Sequence, residues 1–583
     1  MPDDRIIPTP KNADLVTFKI LSNGSQIDET INVLSIWVSK AVNKIPTAQI
    51  TIADGEPSTE SFGVSTSAVF VPGNEIEIKA GYHSDEKTIF KGIITRHTIS
   101  ARNDTGSKLV VTCKDKSIKM TAGRKNKYFT DMKDSEIIEQ IIGNYGLDKE
   151  VEATTTKLKA MVQYSATDWD FVNMRADANG KLIFVDDGKV SVKAPDTSSS
   201  PALKLTYGAT MLDFEAELDA DHEPAAAKAN TWDYSGQEIL SADNGSVSYK
   251  EEGNISSADI AKIIGPESLL LSHSGKLPDT ELKAWADSKM LKGKLSKIVG
   301  RVRFQGYGDI KPGNMVTLNG LGDRFNGNAF VTEILHQIGA GNWTTDIQFG
   351  SKPQKPLIQT DDKNEQPAAG LVPAISGLEI GVVTQLKEDP DGEDRILVKL
   401  PIVDPAAEGV WTRIATLDAG NKRGTVFRPE IGDEVVVGFF NGDPRCPVML
   451  GMMNSSAKPS PIPAADENNE KGFVTRSEIK FVFNDDEKSV TLVTPAGKSL
   501  VLDDNDGSIT ILDELGNKIQ MNSDGITMES AKDVIIKATG DAKIDGVNIN
   551  AKASAQFKAE GSGGAEVSSS ATAVLKGSLV QIN

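Results

Sequence analysis

Two stretches, residues 381–402 (GVVTQLKEDPDGEDRILVKLPI) and residues 409–456 (GVWTRIATLDAGNKRGTVFRPEIGDEVVVGFFNGDPRCPVMLGMMNSS), decide how the middle of this chain folds. Apolar and β-branched residues come there in short runs, and the runs are separated by Gly, Asp and Pro, which favour turns. Asp391-Gly392 is typical of a tight hairpin turn. The predicted strands are residues 381–386, 395–400, 409–415, 434–440 and 448–452. Five short strands in this length predict a small closed barrel of the OB type.

The part before the barrel is predicted to be mostly β, with a few helices. Residues 76–80, 87–100 and 108–113 alternate apolar with polar side chains, which is the pattern of half-buried strands. Helical spacing of apolar residues predicts a helix over residues 134–145. A second helix is predicted over residues 167–179, with Thr167 as its N-cap, and a third after Pro278.

The part after the barrel has a short repeat. Strands are predicted at residues 499–502, 508–512, 518–521 and 526–528. Gly497, Gly507, Gly516 and Gly525 punctuate them at intervals of ten, nine and nine residues, which is typical of a β-solenoid or array. Beyond Gly540 the chain is rich in Ala, Ser and Gly, and its apolar alternation favours strand over helix.

Each of these strands offers only a thin apolar row. A single chain of this kind cannot enclose a core and leaves strand edges unpaired. We therefore predict a triple-stranded intertwined β-helix made by a homotrimer, with an ordinary single-chain β-helix as the alternative. The predicted division is a first block of β-barrel-like domains (residues 1–360), a linker (361–375), the OB barrel (376–455), a second linker (456–471) and the trimeric β-helix (472–583).

The composition excludes several classes of function. The chain has 583 residues and a net charge of −19, which argues against nucleic acid as a partner and against electrostatic adhesion to an anionic membrane. No stretch approaches the roughly 20 apolar residues of a membrane helix. Residues 1–14 lack the pattern of a secretory leader. We expect a protein made in the cytoplasm, and its export, if it leaves the cell, would not use a leader peptide.

A search for reactive groups predicts no catalytic residue, no cofactor and no metal site. The five histidines do not form a close-spaced pair, and they are His83, His97, His222, His273 and His336. His97, His336 and Cys113 are interpreted as structural, and Cys446 has no histidine near it in sequence. Residues 503–507, 484–487 and 389–392 are acidic, and reverse turns explain them better than calcium loops.

The barrel region resembles the OB-fold module of VgrG and related central spike proteins of contractile injection systems. The pieces that carry the resemblance are Asp389-Pro390-Asp391-Gly392, Trp411-Thr412-Arg413, Phe427-Arg428-Pro429, residues 430–437 (EIGDEVVV) and Gly442-Asp443-Pro444. Residues 1–360 are similar to the hub part of the same family, shared with phage tail hub proteins, and the last block is similar to its spike. The short linker after the barrel and the lack of a fused effector domain resemble the extracellular antifeeding-prophage and virulence-cassette type.

The resemblance implies a structural spike that joins the inner tube and baseplate to a puncturing tip and pierces the target envelope mechanically. It implies inner-tube and baseplate proteins as partners at the hub, and it allows for effector cargo. We predict that Leu579, Val580 and Ile582, repeated three times at the end of the rod, dock a PAAR-type tip protein. The alternatives are a phage-like tail protein that hydrolyses cell wall or polysaccharide, and a trimeric adhesin.

Overall fold

The computed structural model describes residues 15–102, 106–220, 224–233, 238–245, 247–264, 267–273, 275–351 and 367–582. It contains two compact units, Met1–Asn454 and Ser455–Asn583, and each is described by itself. Residues 1–14, His222, and residues 361–366 of the predicted linker lie outside the described residues. Among the described residues, no helix is long and apolar enough to span a bilayer.

The first unit begins with a large antiparallel sheet. Its early strands are β1 Val16–Ser22, β2 Ser25–Gln26, β3 Val33–Ala41, β4 Thr47–Ala53, β5 Glu75–Tyr82, β6 Asp85–Arg102 and β7 Gly106–Lys114. Its late strands are β13 Leu203–Thr206, β14 Met211–Leu218, β18 Ile298–Gln305, β19 Met315–Asn319, β20 Gly327–Gly339 and β21 Asn342–Phe349. The order β14-β18-β21-β20-β3-β4-β7-β6-β5-β1-β2 joins both sets through the β20–β3 pair, while β19 pairs with β20 and β13 pairs in parallel with β19. The two ends of the hub sequence therefore close on each other in one sheet.

Smaller elements lie between these two sets of strands. They are a 3-10 helix at Lys116–Thr121, β8 Lys125–Lys133, α1 Asp134–Gly143, β9 Asp148–Val151, β10 Lys157–Ala166, α2 Asp168–Ala178, β11 Leu182–Asp186 and β12 Lys189–Lys193. Further along come β15 Ala227–Asp233, β16 Glu238–Asp243, α3 Ser257–Ala261, β17 Leu269–His273 and α4 Asp279–Ser296. The three predicted helices correspond to α1, α2 and α4. Thr167 caps α2 as predicted, because its hydroxyl accepts a hydrogen bond from the Asp170 amide at 3.1 Å.

The predicted barrel is present. Its strands are β22 Glu379–Gln385, β23 Ile396–Lys399, β24 Val410–Ile414, β27 Glu434–Phe439 and β28 Pro447–Met452, closed in the order β22-β23-β24-β28-β27. A small hairpin, β25 Ala419–Gly420 and β26 Arg423–Gly424, and a 3-10 turn at Phe440–Gly442 complete it. Gly381 lies where the barrel walls approach closely, since a Cβ there would be 2.5 Å from Val398 and 2.8 Å from Val437.

The barrel is packed against the hub. Val162 of β10 is buried in the barrel core, and the Leu400 amide donates to the Tyr128 hydroxyl at 3.2 Å. The end of the predicted first linker is buried as well, since Ala368 and Val372 belong to the core around α1 and α2. Hub and barrel therefore form one compact unit.

The second unit contains a seven-stranded antiparallel meander. Its strands are β29 Glu470–Val474, β30 Lys480–Asn484, β31 Ser489–Val493, β32 Ser499–Asp503, β33 Ser508–Leu512, β34 Lys518–Asn522 and β35 Gly525–Glu529. The periodic glycines have left-handed backbones, with φ of +89° at Gly497 and +87° at Gly516, which explains why the turns need them.

The mode of strand pairing differs from the prediction. An intertwined arrangement was predicted for the whole of residues 472–583, but β29 to β35 pair with one another within the chain. The reason is the short turns, which bring consecutive strands together before another chain is needed. Residues 531–582 are all exposed, and none of them belongs to a helix or a strand within the chain. The strands predicted beyond Gly540 are therefore not formed by the single chain.

Candidate functional site

One face of the second unit's sheet is apolar from β30 to β35. The pairing is in register, so side chains from successive strands line up in two rows, and we call these rows the apolar face. One row is Phe481, Leu492, Leu500, Ile511, Ile519 and Met528, and the other is Phe483, Val490, Leu502, Ile509, Met521 and Ile526. The alternation of the sequence places them there, because successive side chains of a strand point to opposite faces.

This face is uncovered in the single chain. Phe481 is 36% exposed, Leu492 43%, and Ile526 70% at the far end. A continuous exposed apolar surface of this kind marks an interface in a soluble protein. The opposite face is mixed and carries serines, threonines, lysines and a few valines.

The predicted docking residues lie in residues 531–582, which form no helix or strand within the chain. Leu579 is 82% exposed, Val580 50% and Ile582 86%. Upstream in the same segment Val547 is fully exposed, at 101%. These side chains are therefore not packed in a core of the single chain and remain accessible to a partner.

A chain of buried charges joins the hub to the barrel, and we call it the junction. Arg175 of α2 donates to both carboxylate oxygens of Asp134 at 2.7 and 2.8 Å, and to Glu281 of α4 at 3.2 Å. Arg445, from the β27–β28 turn, donates to the same Glu281 oxygen at 2.6 Å and to Asp443 at 2.8 Å. His273, at the end of β17, lies 3.0 Å from Asp443. All six side chains are at most 7% exposed.

Burial by itself favours the uncharged forms of the acidic side chains in the junction, and their cationic partners keep them ionised. For Asp443, burial raises the pKa, but the Arg445 charge and the contact with His273 lower it well below its usual range. The same balance of burial against Arg175 lowers the pKa of Asp134. Removal of one partner would therefore leave an uncompensated buried charge. The junction positions the barrel on the hub.

The junction places Cys446 beside His273, which sequence reasoning missed. The Nε2 of His273, a carboxylate oxygen of Asp443 and the Sγ of Cys446 all lie within 4.8 Å of one another. Burial, with Asp443 next in importance, raises the pKa of the Cys446 thiol well above its usual range. A protonated thiol is a poor nucleophile, so the arrangement does not support cysteine catalysis. No local motif could have revealed it, because His273 and Cys446 belong to distant elements.

The other histidine and cysteine candidates have structural surroundings. The His97 ring contacts the Ser65 hydroxyl at 2.7 Å and the Phe70 carbonyl at 2.9 Å. His336 is buried, and burial lowers its pKa to about 3. Cys113 is buried in the core of the large sheet, and burial raises its pKa to about 12.

The acidic runs form turns. Asp389 accepts hydrogen bonds from the amides of Asp391, Glu393 and Arg395, and from the Arg395 side chain. In the run before Gly507, the Asp506 amide donates to Asp503 at 2.9 Å. These carboxylates are used by the turns themselves, as the sequence interpretation expects.

Comparisons with known proteins agree with this architecture. Residues 12–340, more than half of the chain, match the family model described as the Alg8 N-terminal domain. The chain belongs to the Alg8 N-terminal domain family. Residues 379–453 match the model described as the type VI secretion system/phage-baseplate injector OB domain, and this range coincides with the closed barrel.

Solved structures are similar over long stretches at low identity. The lidded PdpA–VgrG complex of Francisella matches with a TM-score of 0.51 and 11% identity, covering 89% of this chain and 81% of that chain. The E. coli c3393 protein, a component of the type VI secretion system, matches at TM-score 0.45 and 13% identity, covering 75% and 100%. A tail protein of Neisseria meningitidis matches at TM-score 0.44 and 12% identity, covering 58% and 97%. The predicted resemblance to VgrG-like spike proteins, and the mainly β fold with an OB barrel, are confirmed.

Proposed function

We propose that this protein is the spike and hub of a contractile injection system and works as a homotrimer. Its family matches support the structural hub and spike role. The observation that carries the trimer is the apolar face, which the single chain leaves uncovered, together with residues 531–582, which are exposed and form no strand within the chain.

A homotrimer would cover the apolar face and would also provide strand partners for residues 531–582. Three apolar faces turned towards one axis would enclose a narrow triangular core, and residues 531–582 of the three copies would supply each other with strand partners. Twelve side chains that each gain about 1 kcal/mol on covering give about 12 kcal/mol per chain. That gain is large against the usual 5–15 kcal/mol stability of a domain.

The mechanism is mechanical. The hub would bind the inner tube and baseplate, and the rod would transmit force from behind it. The net charge of −19 per chain becomes −57 for three copies (3 × −19), and such a surface is repelled by an anionic envelope. Entry would then depend on applied force, not on affinity for the membrane. We assign the particle to the extracellular type, assembled from subunits made in the cytoplasm.

The end of the rod is the proposed tip site. Three copies of Leu579, Val580 and Ile582 would present an apolar surface to a PAAR-type tip protein. Effector cargo is a further proposed partner. We propose no enzymatic activity, since the junction holds its acids in ion pairs and its thiol protonated.

The test is the native mass of the purified protein. Three times 62.4 kDa, in a form that resists detergent, is the expected result. A monomer at micromolar concentration would overturn the proposal. Clearing of a peptidoglycan zymogram by the purified protein would favour the hydrolase alternative.

A further inference from the structure

A hairpin extends from the barrel between β24 and β27. It spans residues 416–428 and contains β25 and β26, and we call it the arm. Every residue of the arm except Thr425 is exposed. Its own contacts hold its shape, because the Thr425 amide donates to the Asp418 carbonyl at 3.0 Å and Arg423 donates to the Asp418 carboxylate at 2.6 Å. A two-stranded hairpin alone in water is only marginally stable, so the arm needs a surface to pack on.

The arm carries apolar side chains that the single chain leaves largely exposed. Leu417 is 93% exposed, Val426 77% and Phe427 55%. Three basic residues and one acidic residue give residues 416–428 a net charge of +2, in a chain whose net charge is −19. The arm therefore suits an apolar patch on an acidic protein, and a second copy of this chain is such a protein.

An apolar patch of this kind lies on the outer wall of the barrel, and we call it the barrel patch. Leu378 is 62% exposed, Ile380 44% and Leu450 49%. Leu378 and Leu450 lie beside Gly438, since a Cβ there would be 3.6 Å from the first and 3.3 Å from the second. Ile380 comes two residues after Leu378 and so points to the same side of the strand. The barrel core fills the inside of the closed barrel, so this patch has to be covered from outside it.

Two different apolar surfaces on one chain suit a cyclic trimer. In a threefold ring each copy contacts its two neighbours through two different surfaces, whereas a twofold dimer uses one surface twice. The six side chains expose on the order of 600 Å² together, at about 150 Å² for each when fully exposed. A specific interface buries about 1,200–2,000 Å² in total, and somewhat more than half of that area is apolar. One arm and one barrel patch therefore supply about the apolar area of a small specific interface.

We propose that the arm of each copy packs on the barrel patch of the next copy, so that the three barrels form a closed ring. The proposal rests on the homotrimer of the proposed function. The apolar side chains of the arm would cover the barrel patch, and the positive charge of the arm would face an acidic neighbour. The ring would join the three chains through the first unit, in addition to the contact made by the apolar face of the second.

Cross-linking of the full-length native assembly tests this contact. Leu417→Cys and Leu378→Cys are combined in one chain, and the purified protein is treated with a short bismaleimide. Electrophoresis after heating in detergent should show chains joined covalently into dimers and trimers. The matched control combines Leu417→Cys with Ala406→Cys and should stay unlinked. Ala406 is exposed in the barrel loop next to the hub, where the Asn126 side chain donates to the Ile402 carbonyl at 2.8 Å.

The native mass of the same samples separates this proposal from the homotrimer itself. A trimer whose chains are not linked by the reagent, or are linked equally in the control pair, would overturn the arm contact and leave the homotrimer standing. A monomer would overturn both.

A protease measurement follows the arm while its own sequence stays unchanged. Trypsin cleaves after Lys and Arg, and Lys422 and Arg423 lie at the tip of the arm. Leu378→Glu should increase cleavage there roughly tenfold or more, because the arm of the neighbouring copy loses its apolar contact. Leu34→Glu, at a hub leucine that is 45% exposed, is the control and should cleave as slowly as the wild-type protein. Equally fast cleavage of the arm in all three proteins would overturn the proposal.

Discussion

A charge placed in the middle of the apolar face should break the assembly. Leu500 lies at the centre of one row, between Leu492 and Ile511 on the neighbouring strands. It is 36% exposed in the single chain, so about a third of its apolar surface remains to be covered by other copies. Leu500→Asp should therefore leave the sheet of each chain intact and act on the contact between chains.

The magnitude follows from that exposure. Loss of the remaining burial costs about 1 kcal/mol per chain, or about 3 kcal/mol per trimer. Each new carboxylate that is buried without a partner adds several kcal/mol, and the three would face one another across the axis. The sum is on the order of 10 kcal/mol per trimer, which is enough to abolish resistance of the rod to detergent.

The assay compares two variants with the same charge. Thr510→Asp adds a carboxylate on the opposite face of the same sheet, between Val501 and Gln520, and serves as the control. Electrophoresis in detergent without heating and native mass should show loss of the trimer in Leu500→Asp alone. Equal resistance of the two variants would refute the assignment of the apolar face to the trimer core.

Three further outcomes are expected. Arg445→Met should lower the free energy of unfolding by about 3–5 kcal/mol in denaturant titrations, because it removes the cationic partner of buried acids. Lys87→Met, at an exposed ion pair, is the control and should cost less than about 1 kcal/mol. Equal effects of the two variants would contradict a stabilising role of the junction. Burial raises the pKa of Glu252 to about 7, against 4.5 for an exposed glutamate, so the folded state binds a proton that the unfolded state releases. The free energy of unfolding should therefore rise by up to about 3 kcal/mol as the pH falls from 7 towards 4.5. Glu252→Gln should lose this pH dependence, and an unchanged pH profile in that variant would contradict the assignment. Deletion of residues 579–583 should abolish binding of a PAAR-type tip protein in a pull-down without changing the native oligomer, and retained binding would exclude this end as the dock.

The barrel was the part of the fold that the sequence predicted best. Its strands are short, their turns are marked by Gly and Asp, and their apolar residues face one core, so local pattern and tertiary structure agree. The helices were also predicted, because Thr167 caps α2, helical spacing of apolar residues marks α1, and Pro278 precedes α4.

The spike was predicted in part. The glycine period located β32 to β35, since a positive φ is required at each turn whatever the strands pair with. The choice between pairing within a chain and between chains is not local. An alternating strand offers the same apolar row in both cases, and this led to the wrong pairing for β29 to β35.

By itself the sequence determined the strands of the barrel, the glycine-marked turns of the second unit and three of the helices, and it determined that the protein is acidic. These are properties of neighbouring residues and of composition. Only the tertiary structure decided the closure of the large sheet through β20 and β3, and the meeting of His273 with Asp443 and Cys446. The physical reason is that a contact between residues more than a hundred positions apart has no spacing that a sequence pattern can record. Such contacts form because buried charges and the backbone groups of strands need partners, and folding brings the partners there.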